Sequence, residues 1–474
     1  MDFLAFAEKH KDEIIKSTKE LVSIPSVEGD PEPGMPMGEP VNRSLEYTLE
    51  LCDKLGFRTK NIDGYAGYAE WGSGEEMVGI LGHLDVVPAG EGWTKPPFDL
   101  TIEDGKAYGR GTSDNKGPTI SAIYALKAVK DAGITLKRRV RLIFGTNEES
   151  GWRGINYYKL HEEAPTMAFV PDASYPVINV EKGIIHVELT HSAKANADPG
   201  GKQLQVLELA GGHRANMVPR IATCKLAGPK KALDEAAGLF QALAAEPLPK
   251  VDTIVEGDTL TVTIEGLAGH GSTPDAGVNA VSYLIQGLHN AAQAGFIFDQ
   301  EAVTQIVAFL TKYVGLETNG SSLGINYEDD LSGTLTLNVG TLSYKDGKVK
   351  MAFDIRYPVT KNVPDIVDPI KKASNEYGLT LTPGHANEPL HVPEDSFLVQ
   401  QLLKVYEKHT GEKAKPLSIG GGTYARAFDN AVAFGATMPG QQRNVHREDE
   451  FATIDELVQN TAIFADAIVL LAGE

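Results

Sequence analysis

Leu81-Gly82-His83-Leu84-Asp85-Val86-Val87-Pro88 is the stretch from which the rest of the chain is read. A short apolar run over residues 77–81 enters it and predicts a buried strand. His83 and Asp85 therefore sit where a strand empties into a loop. An imidazole placed there can give one ring nitrogen to a metal while a nearby carboxylate takes the other ring N–H and fixes the tautomer. A lone His-x-Asp is also an ordinary hydrogen-bonded pair, so the metal reading depends on partners elsewhere in the chain.

Such partners recur at the ends of further predicted elements. Tyr108-Gly109-Arg110-Gly111-Thr112-Ser113-Asp114-Asn115-Lys116-Gly117-Pro118 leads into a helix that runs to about residue 132. Ser113, Asp114 and Asn115 are good N-cap residues and Pro118 suits a first turn, so capping competes with chemistry at Asp114. A predicted strand over 139–144 runs into Gly145-Thr146-Asn147-Glu148-Glu149-Ser150. Adjacent carboxylates at a strand end point in different directions, so one can bind metal while its neighbour faces a water. The competing reading is a solvated acidic loop. A strand over 167–170 ends in Pro171-Asp172. Ligands in open α/β sheets gather at the carboxyl edge, and that edge would collect His83, Asp114, Glu148, Glu149 and Asp172.

The totals narrow the function classes. At 474 residues the chain exceeds one ordinary core, and two or three domains are expected. Its composition, 42% hydrophobic and 23% charged, is that of a globular protein. A net charge of −20 with no basic run argues against a nucleic-acid partner and is compatible with a carboxylate-lined cation site. Two distant cysteines, Cys52 and Cys224, exclude a cysteine-rich zinc site and argue against a disulfide framework. The charged amphipathic pattern at the N-terminus reads as a surface helix and not as a signal peptide, and no apolar run is long enough for a membrane span. A cytoplasmic protein without a membrane partner is the expectation.

Along the chain, helices are predicted over 2–24 and 41–55, and strands over 65–71 and 77–81. The character changes near residue 182. Alternating strand patterns over 184–190, 259–264, 334–339 and 349–355, with helices over 230–245, 279–294 and 363–377, suggest an α+β insert. Gly211-Gly212-His213 and Ala268-Gly269-His270 both follow strand patterns, a hint of two related halves too weak to count as a repeat. The expected division is therefore 1–182 for the first part of a catalytic domain, 183–383 for the insert, and 384–474 for the second part. That last part carries Ser418-Ile419-Gly420-Gly421-Gly422-Thr423-Tyr424 and Val445-His446-Arg447-Glu448-Asp449-Glu450.

Taken together these stretches resemble the zinc aminoacylase/carboxypeptidase-type family of metallopeptidases, and within it the PepV-type dipeptidases. The matching elements are the 82–90 and 109–117 stretches, Thr146 to Glu149, Pro171-Asp172-Ala173, Ala268-Gly269-His270, Arg356-Tyr357-Pro358, Gly420 to Tyr424, and His446 to Glu450. They run in family order over nearly the whole chain. Many relatives have Asp after Gly-Gly-Gly-Thr; the PepV type is similar to this sequence, which has Tyr424.

The resemblance implies an α/β fold, a zinc-exopeptidase-like catalytic domain with a central mixed sheet flanked by helices, plus an inserted α+β lid domain. It implies two zinc ions bridged by Asp114, one also held by His83 and Asp172, the other by Glu149 and His446. Asp85 would orient His83, and Glu148 would be the general base. In the insert it makes His270 a donor to the oxyanion, with Asn216 as companion; capping of the turn at Ser272-Thr273-Pro274 is the alternative for His270. Arg356 would bind a free C-terminal carboxylate, assisted by backbone N–H groups of Gly421 and Gly422. It also implies a cis peptide between Asp114 and Asn115. PepV-type relatives use the enlarged insert to imitate a dimer within one chain, so a functional monomer is expected. The implied activity is hydrolysis of dipeptides with free termini, with zinc as cofactor and cobalt or manganese active in vitro. An N-acyl amino acid deacylase or desuccinylase is the alternative, and a non-catalytic peptide- or metal-binding protein a remote one, since every expected ligand and Glu148 are retained.

Overall fold

Met77–His83 forms a strand buried along its whole length. It lies between two parallel neighbours, Arg139–Gly145 and Met167–Val170. Strands covered on both faces need no polar alternation, which is why these three are near-continuous apolar runs. The sheet extends through antiparallel Ala66–Trp71 and Arg58–Ile62 on one side and through parallel Ala431–Ala433 on the other, reaching nine strands in all. Helices Lys116–Asp131 and Ile454–Ala472 contact each other, and both are buried over most of their length. A capping box, in which Thr453 accepts from Glu456 N–H and Glu456 accepts from Thr453 N–H, starts the second of these helices.

This α/β architecture comes from a computed structural model that describes residues 2–192, 202–298, 301–441 and 444–473. Contacts divide the chain into two units, Met1–Val180 with Leu390–Ser418 and Gly422–Glu474, and Glu181–Pro389 with Ile419–Gly421. The second unit has its own core, formed between a nine-stranded sheet and helices Lys230–Gln241, Ala280–Gln293, Glu301–Tyr313 and Val363–Asn375. Its sheet runs Lys250–Glu256, Thr259–Glu265, Ile221–Ala227, Lys202–Gly211, Thr336–Lys345, Lys348–Tyr357, Gly183–Ser192 and Thr380–Asn387, with Phe296–Phe298 beside Lys202–Gly211.

Several expectations change in detail. The single helix over 2–24 is two, Phe3–Lys9 and Lys11–Val22, broken at His10. Strand Thr380–Asn387 contains Pro383 and Gly384, which disguise it in sequence; it is an edge strand, where a missing N–H is tolerated, and its register with Gly183–Ser192 shifts at a bulge. That strand carries the second unit past residue 383. Ile419–Gly421 also joins it, since Lys182 N–H donates to Ile419 O at 3.0 Å and Arg356 Nη1 to Gly420 O at 2.9 Å. Cys52 and Cys224 are buried free thiols. Among the described residues no helix is long and apolar enough to cross a membrane.

Asp466 ties the helix Ile454–Ala472 to Phe397–Thr410, accepting from Lys408 Nζ at 2.8 Å and paired with His409 Nε2 at 2.7 Å. Burial opposes its charge, but these two partners win and hold its carboxyl below the usual range. A depressed carboxyl contributes stability above its unfolded-state pKa and loses it as pH falls through the folded value. Asp466→Asn should cost about 1–2 kcal/mol at pH 7. In urea unfolding, the gap between the two proteins should close below about pH 4.

Candidate metal and catalytic site

The loops at the carboxyl ends of the three central strands bring the first unit's candidate ligands together. His83 Nε2 lies 2.9 Å from Asp114 Oδ1 and 3.6 Å from Asp172 Oδ2. His446 Nε2 lies 3.0 Å from Asp114 Oδ2 and 3.0 Å from Glu149 Oε2. Asp114 thus spans two imidazoles, one oxygen toward each. Ligand atoms of His83, Asp114 and Glu149 fall within 4.8 Å of one another, as do those of His83, Glu148 and Asp172. Glu148, read from sequence as a base, stands within reach of the same cluster. His446 adopts a left-handed backbone, φ +62°, uncommon for a residue with a side chain.

Asp85 meets His83 through its backbone and its carboxylate, and the carboxylate does a second task. His83 Nδ1 donates to the Asp85 backbone carbonyl at 3.0 Å, while the Asp85 carboxylate stands 3.6 Å away. This places the ring proton on Nδ1 and leaves Nε2 as the basic nitrogen. The carboxylate itself accepts the backbone N–H groups of Glu148 and Glu149, both at 3.0 Å. It therefore aims the loop that carries both glutamates.

A second buried carboxylate does the same for Asp114, and sequence reasoning missed it. Glu450 Oε1 accepts from the N–H groups of Gly111 and Ser113 at 3.0 Å and of Asp114 at 3.2 Å, while Oε2 pairs with Arg110 Nη1 at 2.7 Å. Its only signal in sequence was its place in the His446-to-Glu450 stretch. The Asp114–Asn115 peptide is cis. Asn115 precedes helix Lys116–Asp131 without capping it by its side chain. Its amide instead donates to Pro171 O at 2.7 Å and Asp172 Oδ1 at 3.1 Å, and its oxygen accepts from Thr119 at 3.1 Å. Gly82 leaves room for this: a Cβ there would fall 2.3 Å from Thr119 Oγ1.

The donor set suits a divalent cation. Burial by itself would lower both imidazoles; hydrogen bonds and charge from Asp114 and its neighbours overcome it, lifting His446 to about 11 and His83 well above its usual value. Burial, with Asp172 and Glu149 nearby, pushes the Glu148 carboxyl well up. Two imidazoles against Asp114, Glu148, Glu149 and Asp172 leave excess negative charge. Nitrogen and carboxylate oxygen in that mixture match zinc and other first-row divalent ions.

The second unit groups the other predicted residues. Met217 pairs with His270 across two short strands, and Gly271 N–H donates to Asn216 O at 2.8 Å, so Asn216 and His270 adjoin. Asn338, buried and also missed from sequence, donates to the carbonyls of Ala215 and Met217 at 2.8 Å each and so brackets Asn216. Ser272 N–H donates to His270 Nδ1 at 3.2 Å, which sets the proton of the neutral ring on Nε2. His270 Nδ1 also lies 2.6 Å from Ser272 Oγ, so the ring meets both polar groups of that turn residue. Arg356 pairs with Asp354 through Nε at 2.9 Å and Nη2 at 2.9 Å and donates from Nη1 to Gly420 O at 2.9 Å. Asp354 also abuts Gly271, where a Cβ would meet its Oδ2 at 2.4 Å. Gly421 lies in this second unit; Gly422 belongs to the first.

The family model described as Peptidase family M20/M25/M40 matches residues 79–469. A Bacillus subtilis (strain 168) protein named "Putative dipeptidase YtjP" is 42% identical over 468 residues, covering 98% of each chain. A Staphylococcus haemolyticus protein, "Putative dipeptidase SH1171", is 34% identical over 471 residues with the same coverage. Among solved structures, human carnosine dipeptidase 1 aligns with a TM-score of 0.61 at 15% identity, covering 100% of this chain and 98% of that one. Aminoacylhistidine dipeptidase from Vibrio alginolyticus aligns at 0.57 and 18% identity, covering 96% and 95%. At those identities the two structures speak to the fold.

Glu450→Gln would leave Arg110 buried without its counter-charge and loosen three backbone N–H groups at once. An unfolding free energy lower by about 3–5 kcal/mol is expected in urea titration.

Proposed function

The chain belongs to Peptidase family M20/M25/M40, and on that premise we propose that it is a di-zinc dipeptidase acting on dipeptides with free amino and carboxyl termini. The observation that carries the reading is Asp114 set between His83 and His446. In this assignment His83, Asp114 and Asp172 would hold one ion, and Asp114, Glu149 and His446 the other. When bound, the ions would polarise the scissile carbonyl and acidify the attacking water.

The remaining work falls to the protein's own groups. Glu148 takes a proton from the attacking water and returns it to the leaving amine; its raised carboxyl suits a group that must hold that proton between the two steps. Asp85 keeps Glu148 and Glu149 on their separate tasks by holding both backbone N–H groups. His270 Nε2–H is assigned as donor to the carbonyl oxygen as charge develops there, with Asn216 as companion. Arg356 is assigned to the substrate's C-terminal carboxylate, aided by backbone N–H groups of Gly421 and Gly422. Relatives named as dipeptidases over 98% of their length support the substrate class. We further propose a cytoplasmic monomer; sedimentation as an obligate dimer would refute the monomer.

Chelator-stripped protein should regain activity with zinc, cleaving a dipeptide faster than the matched tripeptide or N-acyl amino acid. Preference for the N-acyl substrate would turn the reading to a deacylase. Glu148→Ala should lower kcat by about 10²–10⁴-fold with zinc content retained; an unchanged rate would remove Glu148 from the mechanism.

A further inference from the structure

His446 reaches the cluster differently from the other proposed ligands. His83, Glu149 and Asp172 follow central strands and Asp114 stands at a helix entrance, whereas His446 lies in the irregular stretch before strand Phe451–Thr453. Its side chain is 47% exposed. Packing against so open a side chain does little to fix where the imidazole stands, so polar bonds to the main chain around it have to do so.

Those bonds converge on Asp449. Asn444 Nδ2 donates to Asp449 O at 3.1 Å and Arg447 N–H to Asn444 O at 3.0 Å, which closes residues 444–449 into a turn with His446 inside it. His446 and Asp449 both take left-handed backbones, φ +62° and +52°. A residue with a side chain keeps that conformation where its surroundings over-determine it. The Asp449 carboxylate supplies the determination: Oδ1 accepts from Thr94 N–H at 2.9 Å and Lys95 N–H at 3.3 Å, and Oδ2 from Thr94 Oγ1 at 2.9 Å.

The segment that receives Asp449 is itself anchored. Trp93 Nε1 donates to Ala89 O at 2.7 Å, and the Arg110 guanidinium lies 5.1 Å from the Trp93 ring centre. Arg110 Nη2 also donates to Ala89 O at 3.2 Å, while its Nη1 pairs with Glu450. Adjacent acids therefore tie the chain beyond His446 to two different loops, Glu450 to the loop of Asp114 and Asp449 to the loop that follows His83 and Asp85. A carboxylate at the surface adds little to stability, so the place where this second tie tells is the position of His446.

We propose that Asp449 is a positioning residue for His446: by docking the turn on Thr94 and Lys95 it holds the imidazole facing Asp114 and Glu149 before an ion arrives. The inference rests on His446 being a metal ligand, as proposed above.

The test is competition for zinc between the loaded enzyme and a chromogenic chelator, resolving both zinc constants, with the Tm of the metal-free chain measured beside it. Asp449→Ala should weaken one zinc constant about 10–100-fold and leave the other within about twofold. The metal-free Tm should stay within about 3 °C of wild type, and activity lost at limiting zinc should return in excess zinc. Thr94→Val, which removes the hydroxyl donor and keeps both N–H groups, should move the same constant in the same direction by a smaller factor, and Thr94→Ser should restore it. Two wild-type constants in Asp449→Ala, or equal weakening of both with a lower metal-free Tm, would overturn the inference. Wild-type constants in His446→Ala would instead bring down the ligand assignment beneath it, so the two failures are distinguishable.

Discussion

One carboxylate facing two imidazoles is the constraint on which the first unit's chemistry depends. Asp114 can present an oxygen to His83 and another to His446 only if three loops from distant parts of the chain arrive together. The parallel strands deliver the loops of His83, of Glu148 and Glu149, and of Asp172 to a common edge. His446 arrives from about 300 residues further on, through a backbone conformation that side chains seldom adopt. The negative charge so gathered draws cations, and both imidazoles respond by rising in basicity despite their burial.

Holding such a cluster in place is the work of groups that need not bind metal at all. Asp85 and Glu450 each use a buried carboxylate to gather backbone N–H groups of a ligand-bearing loop. Charge-assisted bonds to main-chain donors are stronger than neutral ones, and they orient a loop without occupying its side chains. Asn115 adds a neutral counterpart by joining the helix entrance to the Asp172 loop. The second unit repeats the device: Asn338 clamps the carbonyls on either side of Asn216, and Ser272 sets the His270 tautomer.

Much of the fold was legible in sequence where burial is two-sided or periodicity clean. Strand Met167–Val170 falls where its apolar run predicts, and helices such as Val363–Asn375 follow their 3.6-residue pattern. Thr380–Asn387 was hidden because Pro383 and Gly384 argue against a strand everywhere except at an edge, and edge position is a tertiary property. The candidates His83, Asp114, Glu148, Glu149 and Asp172 could be named from residue type and position at strand and helix ends, whereas His446 entered only through the family resemblance. The second task of Asp85's carboxylate could not be named, because the N–H groups it accepts belong to residues over 60 positions away.

Sequence by itself therefore determined the family, the α/β class and the cast of chemical side chains, because apolar periodicity and a motif set in fixed order are local properties of the chain. Tertiary structure alone decided which acids hold loops and which face the cluster, and that Arg356 shares its guanidinium with Asp354. Those are statements about burial and about partners hundreds of residues apart, and hydrogen-bond satisfaction in a dry interior is set by the packed neighbours and not by the order of residues along the chain.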